Sequence, residues 1–233
     1  MRTLHVSAGG SNSRLKMYLD DKFQGIPKHL LPIPTAEGTI LGQIIRDAES
    51  HFRTVTVWAS KFNITTFVPM VPKYRTTTYK VDQQMTGPLG PLVRHTLDRQ
   101  VRTYGCAGDF FCSFRWDDME KFHDMHDYPI TILLARSSPA LEAAVFERSE
   151  NGSVISWSRK DSNENDLINI GAYIIDPTPE VLKLLRDLSH HKEDPFNTAA
   201  IKAQLMAAYV AEEVGFNINT SSSYHHLLGY LER

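Results

Sequence analysis

The chain has 233 residues, with 25 Lys and Arg against 27 Asp and Glu, for a net charge of −2. That length suits one large α/β domain with a full hydrophobic core, and that charge excludes a basic surface laid out for nucleic acid. No apolar run is long enough to span a bilayer, residues 1–6 meet glycine too soon for a secretory signal, and two cysteines exclude a disulfide scaffold. A cytoplasmic protein is therefore expected, with no membrane or nucleic-acid partner.

Apolar residues over 3–8 predict a strand. It opens into Ala8-Gly9-Gly10-Ser11-Asn12-Ser13-Arg14-Leu15, and Pro27-Lys28 follows further on. Small residues let backbone N–H groups approach phosphate oxygens, and Arg14 and Lys28 bring positive charge to where phosphoryl or nucleotidyl transfer shifts negative charge. Ile40, Leu41, Ile44, Ile45 and Ala48 predict a helix over 39–52, and Val55-Thr56-Val57-Trp58 a β-branched strand over 54–59. A threonine-rich strand is expected over 74–81, then a helix over 91–104 starting at Pro91. Residues 106–109 read as the end of a short strand, 116–126 as a helix and 130–135 as a wholly apolar strand. Strands over 144–148 and 154–159 flank Glu150-Asn151-Gly152-Ser153, a hairpin turn. A strand over 167–175, a helix over 178–188, a longer alanine-containing helix over 196–214, a short strand over 216–218 and a helix over 221–231 complete the chain.

This alternation predicts a doubly wound, mostly parallel, Rossmann-like α/β sheet covered on both faces, with a small antiparallel insert at the hairpin. In such sheets the ligand crevice lies at the carboxyl ends of the strands. The glycine loop, Gly108-Asp109 and residues 217–220 all fall at such ends. Cys106 reads as a buried small hydrophobe, and Trp116 and Trp157 as core or rim. His123, His126, the pair His190-His191 and the pair His225-His226 are expected on helix surfaces or ends, without a third ligand at zinc spacing.

The opening segment resembles the signature of the sugar-1-phosphate nucleotidyltransferase family: an apolar strand, A-G-G-x-G-T-R-L, a spacer, then P-K. Asn12 and Ser13 depart from it. Further likenesses follow in family order over about residues 1 to 230. Gln83, Gln84 and Gly87-Pro88-Leu89-Gly90-Pro91-Leu92 resemble the base-reading segment, which reads equally as a Pro/Gly turn before a helix. Gly108-Asp109 resembles the strand-ending G-D whose aspartate binds magnesium. Asn169-Ile170-Gly171-Ala172-Tyr173 and Lys160 resemble the sugar-phosphate site. Asn219 stands where the second metal-binding aspartate lies, and reads equally as a helix cap.

The resemblance implies that an NTP and a sugar 1-phosphate are joined to give an NDP-sugar and pyrophosphate, with Mg²⁺ as cofactor. It assigns Arg14 and Lys28 to catalysis and Ala8, Gly9, Gly10, Ser11, Asn12, Ser13, Gln83, Gln84 and Gly87 to the nucleotide. Lys160, Asn169 and Gly171 go to the sugar phosphate, and Asp109 and Asn219, with Asn217 as the alternative to Asn219, to the metal. One domain is expected over 1–233, about 1–110 serving the nucleotide and about 111–233 the sugar phosphate, and a homo-oligomer is left open. Asn12, Asn219 and the altered base segment motivate a second reading, a catalytically silent NDP-sugar-binding regulatory subunit. A third keeps the chemistry with another acceptor, of molybdopterin or phosphocholine type.

Overall fold

The computed structural model describes residues 2–9, 26–70, 77–82, 89–137, 140–188 and 193–233. Its first strand, β1 (Thr3–Ala8), turns Leu4, Val6 and Ala8 wholly inward. After a single 3-10 turn at Lys28–Leu30 comes α1 (Ile40–Glu49). The side chain of Thr39 caps this helix, accepting from the Gly42 N–H at 3.0 Å. Then follow β2 (Thr54–Ala59), α2 (Lys61–Met70), β3 (Thr77–Val81), α3 (Gly90–Arg99), β4 (Thr103–Ala107) and the two-residue β5 (Phe110–Phe111). The second half runs α4 (Trp116–Asp124), β6 (Ile130–Ser137), β7 (Ala140–Arg148), β8 (Val154–Ser162), β9 (Leu167–Ile175), α5 (Pro179–Asp187), α6 (Glu193–Lys202), β10 (Met206–Asn217) and α7 (Ser221–Leu231).

The strands form a 10-stranded sheet in the order β3-β2-β1-β4-β9-β6-β10-β5. β3, β2, β1 and β4 pair parallel, as do β6 and β10, and β9 lies antiparallel between β4 and β6. The β7–β8 hairpin is the antiparallel insert, joined to the sheet through β9. Strand alternation sends side chains to both faces. In β9, Ile168, Ile170, Ala172 and Ile174 join the apolar cluster containing α1 residues, and Tyr173 and Ile175 join the one containing α5 and α6 residues. A sheet buried on both faces is what a mostly parallel α/β fold requires.

Three expectations need correction. The helix from Pro91 ends at Arg99, because Gln100 takes a left-handed conformation (φ 49°) and Thr103 already starts β4. Residues 196–214 are not one helix. Gln204 (φ 55°) closes the turn after α6, and β10 follows as a strand paired with β6, its last two residues being those expected as a separate strand. A strand buried on both faces loses its two-residue polar alternation, so Ala207, Ala208 and Ala211 imitate a helical stripe. His123 is a core residue, 3% exposed, with Nδ1 2.7 Å from Thr131 Oγ1 and Nε2 3.2 Å from an Asp176 carboxylate oxygen. His225 and His226 are exposed, and His190 and His191 lie outside the described residues.

Both cysteines are free and buried, and burial pushes the Cys112 thiol up to about 12, which leaves it unreactive. Among the described residues no helix is long and apolar enough to cross a membrane.

Candidate active site

Three segments meet at the carboxyl end of the sheet. The first is the 3-10 turn. Leu30 N–H donates to Pro27 O at 2.8 Å, and His29 and Leu30 are buried beneath it. That anchorage holds Lys28 over the end of β4. The second segment is Gly108-Asp109. Gly108 N–H donates to Ser7 O at 2.8 Å, carrying the β1–β4 ladder one residue past the strand. A Cβ on Gly108 would stand 3.1 Å from His29 Cδ2, 3.1 Å from Ser7 O and 3.2 Å from Ala8 Cβ, so a side chain there would crowd both the turn and the ladder.

The third segment follows β10. Ile218 N–H donates to Asp109 O at 2.9 Å, tying this stretch to the aspartate backbone. The cap of α7 is Thr220: its Oγ1 accepts from Ser223 N–H at 3.1 Å, and Ser223 Oγ accepts in return from Thr220 N–H at 3.1 Å. Asn219 is thereby left without a capping task, and its Oδ1 accepts from Lys28 Nζ at 3.2 Å. Lys28 Nζ also forms an ion pair with Asp109 Oδ2, the two side chains being 15% and 16% exposed.

Burial alone would raise the Asp109 carboxyl. The Lys28 ammonium beside it outweighs burial and holds it below the usual carboxylate range. His29 is pushed by burial down to about 4 and stays neutral at pH 7, so Lys28 carries the positive charge here. Asp109 and Asn219 are the oxygens that could hold a hard cation. Among the described residues no group of three or more His, Cys, Asp or Glu converges, and Mg²⁺ commonly takes one or two protein ligands together with substrate phosphates. Two oxygens already turned toward one cation, the Lys28 ammonium, fit such an ion.

Beside this cluster lies a second one. Asn169 Oδ1 accepts from Gly171 N–H at 2.6 Å, and Asn169 O accepts from Asn217 Nδ2 at 2.6 Å. Asn169 Nδ2 in turn donates to Glu193 Oε1 at 2.6 Å, as does the Tyr173 hydroxyl at 2.7 Å. Gly171 has φ +80°, and a Cβ there would stand 3.0 Å from Ala107 Cβ. Burial pushes Glu193 above the usual carboxylate range despite its two donors, and the charges of Asp109 and Asp194 add to the shift. Glu193 was not anticipated from sequence. Its signal was the acidic pair Glu193-Asp194 ahead of Pro195, a helix start three residues before the expected one.

Lys160 lies apart from these contacts. It is half exposed in β8, and its Nζ is 3.4 Å from an Asp166 carboxylate oxygen. Its neighbour Arg159 grips both carboxylate oxygens of Asp194, at 2.9 and 2.7 Å, and Trp157 Nε1 donates to Thr198 Oγ1 at 3.1 Å, which fastens the hairpin to α6. Ala8 and Gly9 close β1 near Ser60. Gly10, Ser11, Asn12, Ser13, Arg14, Gln83, Gln84 and Gly87 lie outside the described residues.

The sequence matches no protein-family model and no curated protein. The fold has solved counterparts over 99% of the chain. HddC from Yersinia pseudotuberculosis superposes with a TM-score of 0.74 at 17% identity, covering 99% of that chain, and HddC complexed with GMP-PN with a TM-score of 0.73 at 17% identity, again over 99% of that chain. A Bacillus anthracis protein assigned as a glucose-1-phosphate thymidylyltransferase, in complex with a sucrose, superposes at 0.78 with 17% identity and 95% of its length covered. At that identity the likeness is one of fold. The chain is a mixed α/β protein with the mostly parallel sheet of these proteins.

Proposed function

We propose that the chain is a nucleotidyltransferase that joins an NTP to a sugar 1-phosphate, giving an NDP-sugar and pyrophosphate. The observation that carries this reading is the convergence of Lys28, Asp109 and Asn219 from three separate segments at the carboxyl end of the sheet. The likeness of fold to a protein assigned as a glucose-1-phosphate thymidylyltransferase supports the same class.

In this reading a phosphate oxygen of the sugar 1-phosphate attacks the α-phosphorus in line, and pyrophosphate leaves. The nucleophile is already an anion, so no general base is needed, and the protein contributes alignment and charge stabilisation. Lys28 would neutralise negative charge building on the reacting phosphate, and Arg14, assigned from sequence, that on the leaving pyrophosphate. Asp109 and Asn219 would hold Mg²⁺, which supplies neutralising charge at phosphate oxygens when bound. Asn169 and Gly171, next to Asp109 across the β4–β9 pair, are assigned to the sugar phosphate, with Lys160 at its outer side.

The test is pyrophosphate release by the full chain across the four NTPs and dTTP, each with a panel of sugar 1-phosphates and Mg²⁺. Turnover confined to one base and a narrow set of sugars is expected. Nucleotide binding seen as thermal stabilisation, with no turnover on the panel, would point instead to the regulatory reading.

A further inference from the structure

Glu193 is a half-buried carboxylate next to the cluster around Lys28, and the chemistry above gives it no task. Its Oε1 is filled, accepting from Asn169 Nδ2 at 2.6 Å and from the Tyr173 hydroxyl at 2.7 Å. The Asn169 amide is itself oriented, because its Oδ1 accepts from Gly171 N–H at 2.6 Å and so leaves Nδ2 to donate. Two donors thus hold Oε1 of the carboxylate in place. Among the described residues its other oxygen, Oε2, has no hydrogen-bond partner.

The neighbourhood says what would fill that position. A Cβ on Gly171 would stand 3.9 Å from Glu193 Oε1 and 3.0 Å from Ala107 Cβ, so the glycine lets the end of β4 pack closely beside Glu193. Asp109 lies two residues beyond Ala107, and its charge bears on Glu193. A group at Oε2 must be a hydrogen-bond donor, since phosphate oxygens and nucleobase carbonyls are acceptors and meet a carboxylate unfavourably. A sugar hydroxyl is a donor, and it arrives on the same molecule as the phosphate assigned to the adjacent Asn169–Gly171 segment.

We propose that Glu193 is a specificity-determining residue whose Oε2 accepts a hydrogen bond from one hydroxyl of the acceptor sugar. The inference rests on the sugar-phosphate reading of the site and names the group that reads the sugar ring. Asn169 and Tyr173 act through Glu193 as positioning residues.

Steady-state kinetics on the full chain test it, with wild type, Glu193→Gln and Glu193→Asp, varying the NTP and the sugar 1-phosphate separately and including the mono-deoxy sugar 1-phosphates. Glu193→Gln keeps an oxygen acceptor for Asn169 and Tyr173, so the fold is retained. Glu193→Asp keeps the charge but withdraws the carboxylate by one methylene. Both variants are expected to raise the sugar-phosphate KM about tenfold, the scale of a hydrogen bond to a charged group, with the NTP KM within about twofold. One deoxy sugar should lose a similar factor with wild type and none with Glu193→Gln. An active wild type whose variants move both KM values alike, or neither, or still discriminate against that deoxy sugar, overturns the role of Glu193 alone. A wild type that releases no pyrophosphate with any pair overturns the proposed reaction, and this inference with it.

Discussion

At the amino ends of β1, β4 and β6, a set of charged groups is matched almost one for one. Arg102 holds Asp176 through Nε at 2.7 Å and Nη2 at 3.0 Å, and Asp124 through Nη1 at 2.6 Å. Arg2 pairs with Glu120 at 2.9 Å, the Tyr104 hydroxyl donates to the same carboxylate, and His51 Nδ1 lies 2.5 Å from Asp117. At the carboxyl ends the balance differs. Asp109, Asn219 and Glu193 present oxygens, and among the described residues Lys28 is the cation that meets the first two. The first arrangement pairs its charged members with one another and serves the fold. The second has more acceptor oxygens than donors, the state expected of a site completed by a cation and by a ligand's hydroxyls.

The largest effect should come from breaking the carboxyl-end cluster. Lys28→Ala removes the proposed charge stabiliser, and kcat for pyrophosphate release is expected to fall about 10²-fold or more. The same substitution leaves Asp109 buried without its cation, so the Asp109 pKa should rise, readable as a shift of the acid limb of any residual activity. Near-wild-type turnover would remove Lys28 from the chemistry.

Breaking the amino-end cluster should do the reverse. Arg102→Ala strips Asp176 and Asp124 of their donor and is expected to cost about 2 kcal/mol in urea unfolding, with kcat per folded molecule unchanged. The sign of its pH dependence follows from Asp176. Burial would raise this carboxyl, but the hydrogen bonds from His123 and Arg102 overcome burial and hold it well below the usual range. Its contribution is therefore complete above the ordinary carboxylate pKa and is lost as pH falls toward its folded value. Asp176→Asn should lower stability at pH 7 and flatten the loss between about pH 4 and pH 2, measured by urea midpoints across that window.

Much of the sheet was legible in sequence, because β1, β2, β6 and β9 carry compact apolar runs and α1 and α5 carry a one-sided stripe. α2 was not read: Asn63-Ile64-Thr65-Thr66 is β-branched, Pro69 sits in its last turn, and no stripe marks a buried face. β10 was misread because central burial erases strand alternation. In the site, Lys28 and Asp109 could be named since each follows a recognisable strand or Pro-Lys step. Glu193 was marked in sequence only as an acidic helix start, and its contacts with Asn169 and Tyr173 run from α6 to β9, 24 and 20 residues away in sequence. Nothing local to Lys-Glu-Asp-Pro foretells them.

The smallest expected effect contrasts the two ends most directly, because its sign is opposite to that of Asp176. Burial holds the Glu193 carboxyl above the usual range, so through a window above that range the folded chain keeps a proton that the unfolded chain has released. Stability therefore falls as pH rises through the window. Glu193→Gln removes that charge while leaving an acceptor for Asn169 and Tyr173. Its melting temperature should exceed that of wild type by about 2 °C at pH 7.5, the gain shrinking as pH falls and the wild-type carboxyl takes up its proton. A residue that serves only the fold would show a loss at both pH values. A residue retained for a ligand at the expense of stability shows a gain at neutral pH together with a weaker acceptor, and this paired result is expected at Glu193 and not at Asp176.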